Sequence, residues 1–334
     1  MKLYDNTALS SYEGCRRRFY FRHIMHLTGE GMAAAPSFGI SWHAAMDVVW
    51  KMIDSGEHDD LAILKTAYSA FDVRWQELGF PGLNEITPDQ EEELKSRTPH
   101  TAIGMLEAYI PTRRSLISRF KVLDCERPFV VPLPVGEPGS LWYCGRLDKT
   151  LEGDAGKYIV DHKTTSAYKK DGYFKQDFID SFSPDNQVDG YAFAAHILFE
   201  NDYRALYIDG ALVHRTVHEG FCWIPVNRHI DQLDGWLAET TSRVQDVEKE
   251  KEDLLIWRAE GGHSSPYMPL FRKNTNACYD FFTPCPYLDL CKGWANPDRA
   301  LAEQGTPPGF VREPWSPFDH IQLEKLGFKR EDAE

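Results

Sequence analysis

Residues 145–165 read GRLDKTLEGDAGKYIVDHKTT, two strand-like runs on either side of the turn sequence Gly153-Asp154-Ala155-Gly156. In an antiparallel hairpin closed by that turn, residues equally far from it face each other. Asp148 and Asp161 are such a pair, each five residues out from its own turn glycine. Directly opposed strand residues hold their Cβ atoms about 4.5–5.5 Å apart, close enough for two carboxylates to chelate one hard divalent cation. Without a cation the two charges repel. Because side chains alternate along a strand, Lys163 lies on the face of Asp161, one step further on. Two acids and an amine converging on one cation suit metal-assisted phosphodiester hydrolysis, with the lysine orienting or deprotonating the nucleophile. Taken alone, an Asp-x-Lys triplet more often makes a surface ion pair, so it is the opposed Asp148 that gives this one its weight. Gly153 to Lys157 superficially resembles a phosphate-binding loop but lacks its spacing and its Ser/Thr, and no other such segment occurs, which argues against a nucleotide-driven motor.

Working outward, Lys121 to Leu133, Leu141 to Leu151 and Tyr158 to Thr164 are rich in Val, Ile, Tyr and Phe and separated by Gly/Pro turns, which predicts a three-stranded meander. The first 118 residues read as helical. Thr87 with Pro88 and Gln90 has the capping-box pattern, Thr98 with Pro99 is a second cap, and Phe38 to Ile53 predicts a buried helix ending near Gly56. After the meander, Ser183 and Pro184 read as a helix cap and first-turn proline. Val188, Tyr191, Ala195 and Leu198 carry that helix to about Glu200. Strands Tyr203 to His214 and Gly220 to Val226 and a charged helix from Ile230 to Arg258 follow. From Gly261 onward the chain is rich in Pro, Gly, aromatics and cysteine. The expected fold is an α/β sandwich around a mixed sheet in one domain over residues 1–334, with a helical part over 1–118, an αβ core over 119–260 and a cysteine-rich segment over 261–334.

The 334 residues can bury a full core without staples, and 42% hydrophobic with 26% charged residues is ordinary for a soluble globular chain. No apolar run approaches the roughly 20 residues that a membrane span needs, so no membrane partner is expected. The N-terminal MKLYDNTALSSYEGC lacks the apolar stretch of a secretory signal, so the seven cysteines are expected in a reducing, cytoplasmic compartment. With 37 basic against 51 acidic residues the net charge is −14, which opposes attachment of a polyanion over the whole surface. Any nucleic-acid contact must be local.

These residues together resemble the PD-(D/E)XK nuclease superfamily in its RecB-like branch. A glycine-led acid, an acid-x-Lys and a Gln-x-x-x-Tyr are matched by Gly145 to Asp148, by Asp161-His162-Lys163, and by Gln187 with Tyr191. FGISWHAAMD, residues 38–47, resembles the branch's first motif, whose histidine is here His43. The resemblance implies that a Mg²⁺ or Mn²⁺ ion is held by Asp148, Asp161, His43 and the main-chain carbonyl of His162, with Lys163 serving the attacking water. Glu126, in CERPF, is a weaker candidate on the first strand. Gln187 and Tyr191, at i and i+4, share a helix face that could hold DNA phosphate or the surroundings of the lysine. Asp47, one turn after His43, could hold the other nitrogen of that imidazole. Relatives often carry an aromatic where this chain has His162.

Cys278, Cys285 and Cys291 lie in an irregular segment with six and five residues between them, a crowding that implies a metal. Cys15 is a fourth candidate. One N-terminal cysteine plus a C-terminal trio resembles the iron–sulphur members of the same branch, bacteriophage and CRISPR-associated exonucleases among them, and implies a [4Fe-4S] cluster on Cys15, Cys278, Cys285 and Cys291. The first gap is wider than usual for them. A four-thiolate zinc site is the chemical rival, although short CxxC pairs are absent. Cys125, Cys144 and Cys222 read as ordinary buried thiols. Arg16, Arg17, Arg18, Tyr20 and Arg22 interleave cations with aromatics and could grip a single strand, or form a core helix with one cationic face. Lys169 and Lys170, with Tyr173 and Lys175, are a second candidate DNA contact. The reading is thus a metal-dependent DNA exonuclease acting at DNA ends or in single strands, in recombination, repair or end processing, with unwinding left to a helicase or other recombination or CRISPR partner. A non-enzymatic DNA-binding module and a structure-specific endonuclease are the alternatives.

Overall fold

The computed structural model describes residues 2–31, 33–134, 141–168, 173–280 and 283–329. In chain order the elements are β1 (Lys2–Tyr4), α1 (Asn6–Gly14), α2 (Arg16–Phe19), β2 (Leu27–Gly29), α3 (Ala34–Asp54), α4 (Asp60–Glu77), α5 (Pro88–Leu94), α6 (Pro99–Ile117), β3 (Lys121–Pro132), β4 (Leu141–Gly153) and β5 (Gly156–Thr165). Then come α7 (Gln176–Asp180), α8 (Asn186–Phe199), β6 (Tyr203–Leu212), β7 (Phe221–Val226), α9 (Ile230–Ala259), β8 (Tyr279–Asp280), β9 (Thr283–Pro284), α10 (Leu288–Gly293), α11 (Pro297–Gln304), β10 (Phe310–Arg312) and α12 (Pro317–Ile321). The chain forms two compact units, one of residues 31–127 and 146–229, the other of residues 1–30, 128–145 and 230–334.

The first unit contains the hairpin. Lys149 faces Val160 and Gly153 faces Gly156, the register expected from the turn. β5 runs parallel to β6 from Lys157 to Thr165, and β7 closes antiparallel on β6, so the sheet is mixed. Strand alternation divides the sheet into two faces. On one, Leu151, Val160, Ala211 and Val213 pack against α3, α4 and α6 through Phe38, Trp42, Trp50, Phe71 and Trp75, all shielded from solvent. Toward the other, α8 presents Gln187 to Lys163. Both expected caps are present, with Thr87 and Gln90 forming a capping box and Thr98 accepting from the Thr101 N–H.

Two local expectations differ. Ser183–Pro184 is a cis peptide, and α8 starts after it, capped by Asp185, whose carboxylate accepts the Val188 N–H at 2.8 Å. A carboxylate at that position satisfies a free helix N–H as well as a serine does, so the cap moves two residues on. The N-terminal part also contains the short strands β1 and β2. β1 is parallel to Leu141–Tyr143 and β2 antiparallel to β10, pairings too brief and too distant in sequence to leave a periodicity. In the second unit, the 30-residue α9 buries Leu233, Trp236, Thr240, Val244, Val247, Glu250 and Leu254 at spacings of three and four, the mark of a one-faced helix.

Gly156 is fixed by its position: φ is +141°, and a Cβ there would lie 2.4 Å from the Asp202 carbonyl oxygen. Gly79 has φ +88° with open space around it. Gly79→Ala should therefore cost only the left-handed strain of about 1–2 kcal/mol. Gly156→Ala should cost distinctly more, because backbone must move, and urea unfolding of the two variants measures the difference.

Candidate active site

The paired register of β4 and β5 ends at Lys149 and Val160, one residue short of Asp148 and Asp161, which are 6% and 1% exposed and close enough for the charge of one to act on the other. Asp148 Oδ2 accepts the main-chain N–H of His162 at 2.9 Å. From α3, His43 reaches the same place: its Nε2 lies 2.8 Å from the His162 carbonyl oxygen, and its Nδ1 lies 3.2 Å from Asp148 Oδ2 and 3.8 Å from Glu126 Oε1. Glu126 comes from β3 with φ +57°, a left-handed conformation in mid-strand that a non-glycine residue adopts only when its surroundings hold it there. One ligand atom each from His43, Glu126 and Asp148 lies within 4.8 Å of the others. Arg146 forms an ion pair with Glu126.

The electrostatics show a site short of positive charge. Burial raises the Asp161 carboxyl to about 6; the neighbouring Asp148 charge acts in the same direction and Lys163 against it. Burial alone would depress the His43 imidazolium, yet the charges of Asp148, Glu126 and Asp161 outweigh it and raise its pKa. A proton on His43 is thus the charge compensation that the carboxylates find locally. A hard divalent cation would supply it better, and carboxylate and carbonyl oxygens are its preferred donors. Imidazole among them is more agreeable to Mn²⁺ than to Mg²⁺.

Lys163 stands between Asp161, at 2.9 Å from Oδ2, and Gln187, whose Oε1 accepts from its Nζ at 2.9 Å. The Gln187 amide in turn donates to the Tyr191 hydroxyl at 2.9 Å. The Gln-x-x-x-Tyr pair therefore meets the lysine's surroundings, one of the two roles open from spacing alone. Burial would lower the Lys163 pKa, but Asp161, Asp148 and Asp185 raise it, so the side chain is an ammonium ion.

Asp47 is not at His43. Its Oδ1 is 2.8 Å from Nζ of Lys149, which is completely buried on the helix-facing side of the hairpin. A buried ammonium ion costs far more unpaired than a half-buried neutral imidazole nitrogen does, and both His43 nitrogens already have oxygen neighbours. Lys149, Arg146 and the group behind His162 (Asp209, Arg113 and Tyr109) escaped the sequence reading. Strand alternation next to Asp148 could have flagged Lys149; nothing local flags the others.

The basic segment resolves toward the core-helix alternative. Arg17 is 3% exposed and donates to the carbonyl oxygens of Phe271 at 2.9 Å and of Met268 and Leu270 at 3.4 Å. Tyr20 is fully buried with its hydroxyl on Asp298 at 2.7 Å. Neither can touch DNA, because each satisfies buried polar groups that would otherwise be stranded. Arg16 pairs with Glu250 at 3.4 Å, and Arg22 donates to the Glu313 carbonyl at 2.7 Å. Lys169 and Lys170 lie outside the described residues.

In the second unit Cys15, Cys278, Cys285 and Cys291 line one pocket, together with Arg18 and Lys273. All four are half-buried free thiols. The Asn274 N–H donates to Cys15 Sγ at 3.4 Å. Burial raises Cys291 to about 11 and raises Cys285 as well, with Arg17 and Arg18 respectively opposing. A cationic centre is what would hold such a set as thiolates.

No curated protein matches the chain in sequence. Among solved structures it is similar to the crystal structure of a "Putative exonuclease" from Eubacterium rectale, 14% identical, with a TM-score of 0.41 and 86% of this chain and 92% of that one covered. The sequence pattern of the PD-(D/E)XK nuclease superfamily matches residues 6–292, a span that holds the opposed aspartates, Lys163, the Gln187–Tyr191 pair and the four pocket cysteines. With a mixed sheet that brings Asp148, Asp161 and Lys163 to one end of a hairpin, and a match over most of its length, the chain belongs to the PD-(D/E)XK nuclease superfamily.

Proposed function

We propose that the protein is a divalent-metal-dependent deoxyribonuclease of the RecB-like branch, an exonuclease acting at DNA ends or in single strands, with Asp148, Asp161 and Lys163 at its centre. The observation that carries this is the burial of two facing carboxylates beside an ammonium ion and an imidazole, an arrangement that is unfavourable until a cation and a phosphate enter it. Asp148, Asp161 and the His162 carbonyl would hold the ion, with His43 and Glu126 at its side. Bound there, a Mg²⁺ or Mn²⁺ ion lowers the pKa of water and offsets charge on the phosphate. Lys163 is protonated and pinned between Asp161 and Gln187, so it suits orienting the water and neutralising a phosphate oxygen rather than deprotonating the nucleophile. Gln187 and Tyr191 hold that ammonium in place. Water adds to phosphorus and gives up a proton as the bond to O3′ breaks and O3′ takes one up, leaving 5′-phosphate and 3′-hydroxyl ends.

We further propose a [4Fe-4S] cluster on Cys15, Cys278, Cys285 and Cys291. A single zinc ion with Zn–S bonds of about 2.3 Å would draw its four sulphurs to within roughly 4 Å of each other. Among the described residues, cysteines form no group of three ligand atoms within 4.8 Å of one another. One pocket lined by all four thiols is the observation behind the cluster.

On end-labelled linear single-stranded DNA with Mn²⁺, Asp148→Ala and Asp161→Ala should reduce cleavage to the EDTA background. Lys163→Ala should bind Mn²⁺ as the wild type does and turn over at least about 100-fold more slowly. Wild-type turnover in either aspartate variant would refute the assignment.

The raised Asp161 pKa gives a stability signature. Asp161 holds its proton more tightly folded than unfolded, so its contribution to stability is complete below its unfolded pKa of about 3.9 and is lost as pH rises to about 6. Metal-free Asp161→Asn protein should therefore melt above metal-free wild type at pH 7.5 and not at pH 3.5, and it should lose the stabilisation that Mn²⁺ confers. Equal melting at both values would contradict the pairing of unrelieved charge with Asp161.

Anaerobically purified protein should be brown, with iron and sulphide in equal amounts, and Cys285→Ser should lose both. A colourless preparation with one equivalent of zinc would replace the cluster by the rival centre.

A further inference from the structure

The peptide of residue 162 is the junction of the candidate site. Its N–H donates to Asp148 Oδ2 at 2.9 Å, and its carbonyl oxygen meets His43 Nε2 at 2.8 Å. Its imidazole points the other way, as strand alternation requires, and is 1% exposed on the face that α3 and α6 cover. There it meets Asp209, its partner in the parallel β5–β6 register, with Nδ1 3.5 Å from Oδ2. Asp209, also 1% exposed, is held from α6: Arg113 Nε and Nη2 donate to Oδ1 at 3.2 and 3.0 Å, and the Tyr109 hydroxyl donates to Oδ2. Trp50 Nε1 donates to that same hydroxyl at 3.0 Å, which fixes its direction.

We propose that His162, Asp209, Tyr109 and Arg113 are positioning residues, a buried polar brace that fixes the rotation and height of the 161–163 backbone and so the spacing of Asp148, Asp161, His43 and Lys163. The inference rests on the active-site reading above. An apolar residue at position 162 would satisfy the core, and a buried carboxylate opposite it is not a device for stability, since hydrophobic replacement of such networks is often neutral or stabilising. What the brace adds is direction. An imidazole whose Nδ1 is lodged 3.5 Å from Oδ2 of a fixed carboxylate cannot rotate about the strand without losing that contact, and its own N–H and carbonyl are the groups that Asp148 and His43 touch. The charge of Asp209 is balanced by Arg113, so the brace adds no net charge behind the cation.

The full-length chain carrying His162→Leu, His162→Gln, Asp209→Asn or Tyr109→Phe is compared with wild type and Asp161→Asn by Mn²⁺ calorimetry without DNA and by cleavage of linear single-stranded DNA. His162→Leu and Asp209→Asn should each lose about 10–100-fold in Mn²⁺ affinity or kcat, as outer residues behind metal ligands do, with the KM for DNA unchanged. His162→Gln keeps an N–H for Asp209 and should recover most of that loss. Should Asp209→Asn fail to fold, Tyr109→Phe, which removes one donor and no charge, carries the same pattern in weaker form. Wild-type Mn²⁺ affinity and kcat in a folded His162→Leu protein, or equal losses in His162→Leu and His162→Gln, would overturn the brace. Wild-type protein that binds no Mn²⁺, or Asp161→Asn protein that binds it as tightly as wild type, would overturn the active-site reading itself and the brace with it.

Discussion

Two neighbouring carboxylates at the end of a paired hairpin, with almost no access to water, are the constraint around which one unit of this chain is organised. A lone pair of like charges in that position would push the strands apart or force a proton onto one of them. The chain surrounds them with compensations. Lys163 pairs with Asp161, the His162 N–H bonds Asp148, and His43 leans in with a proton that its carboxylate neighbours favour. Each is a partial neutralisation, and nucleases of this superfamily typically use divalent metals.

The hairpin also sorts charge between its two faces. Asp148, Asp161 and Lys163 lie on one side; Lys149 and His162, their immediate neighbours, lie on the other. There each finds its own acid, Asp47 on α3 and Asp209 on β6. A strand that alternates ionisable residues needs partners on both faces, and this one is consequently tied to a helix on one side and to its neighbouring strand in the sheet. Placing the site at the end of paired strands rather than on a loop gives it the rigidity of the hydrogen-bond ladder.

What could be read from sequence follows the range of the interactions. The hairpin register, both N-caps before α5 and α6 and the i, i+4 alignment of Gln187 with Tyr191 depend on residues a few positions apart, and the structure has them as expected. The partner of Asp47 was misjudged because a helix turn brings it near His43, whereas the desolvation of Lys149 shows only once the sheet is packed on α3. His162 and Asp209 are 47 positions apart and meet through a parallel pairing whose register no local pattern reveals. The Arg16–Arg22 segment was ambiguous because interleaved cations and aromatics describe a strand-binding surface and a buried helix equally well. The carbonyl groups awaiting Arg17 lie some 250 residues on. Cys15 and the C-terminal trio could be grouped only by resemblance, and one pocket now contains all four.

The central claim, that the opposed aspartates exist to hold a cation beside the His162 carbonyl, is tested most directly by anomalous diffraction from crystals soaked in Mn²⁺. The account predicts one strong peak within coordinating distance of Asp148, Asp161 and the residue 162 carbonyl oxygen. A peak absent there but present elsewhere, or a Lys163 ammonium that occupies the position itself, would contradict it.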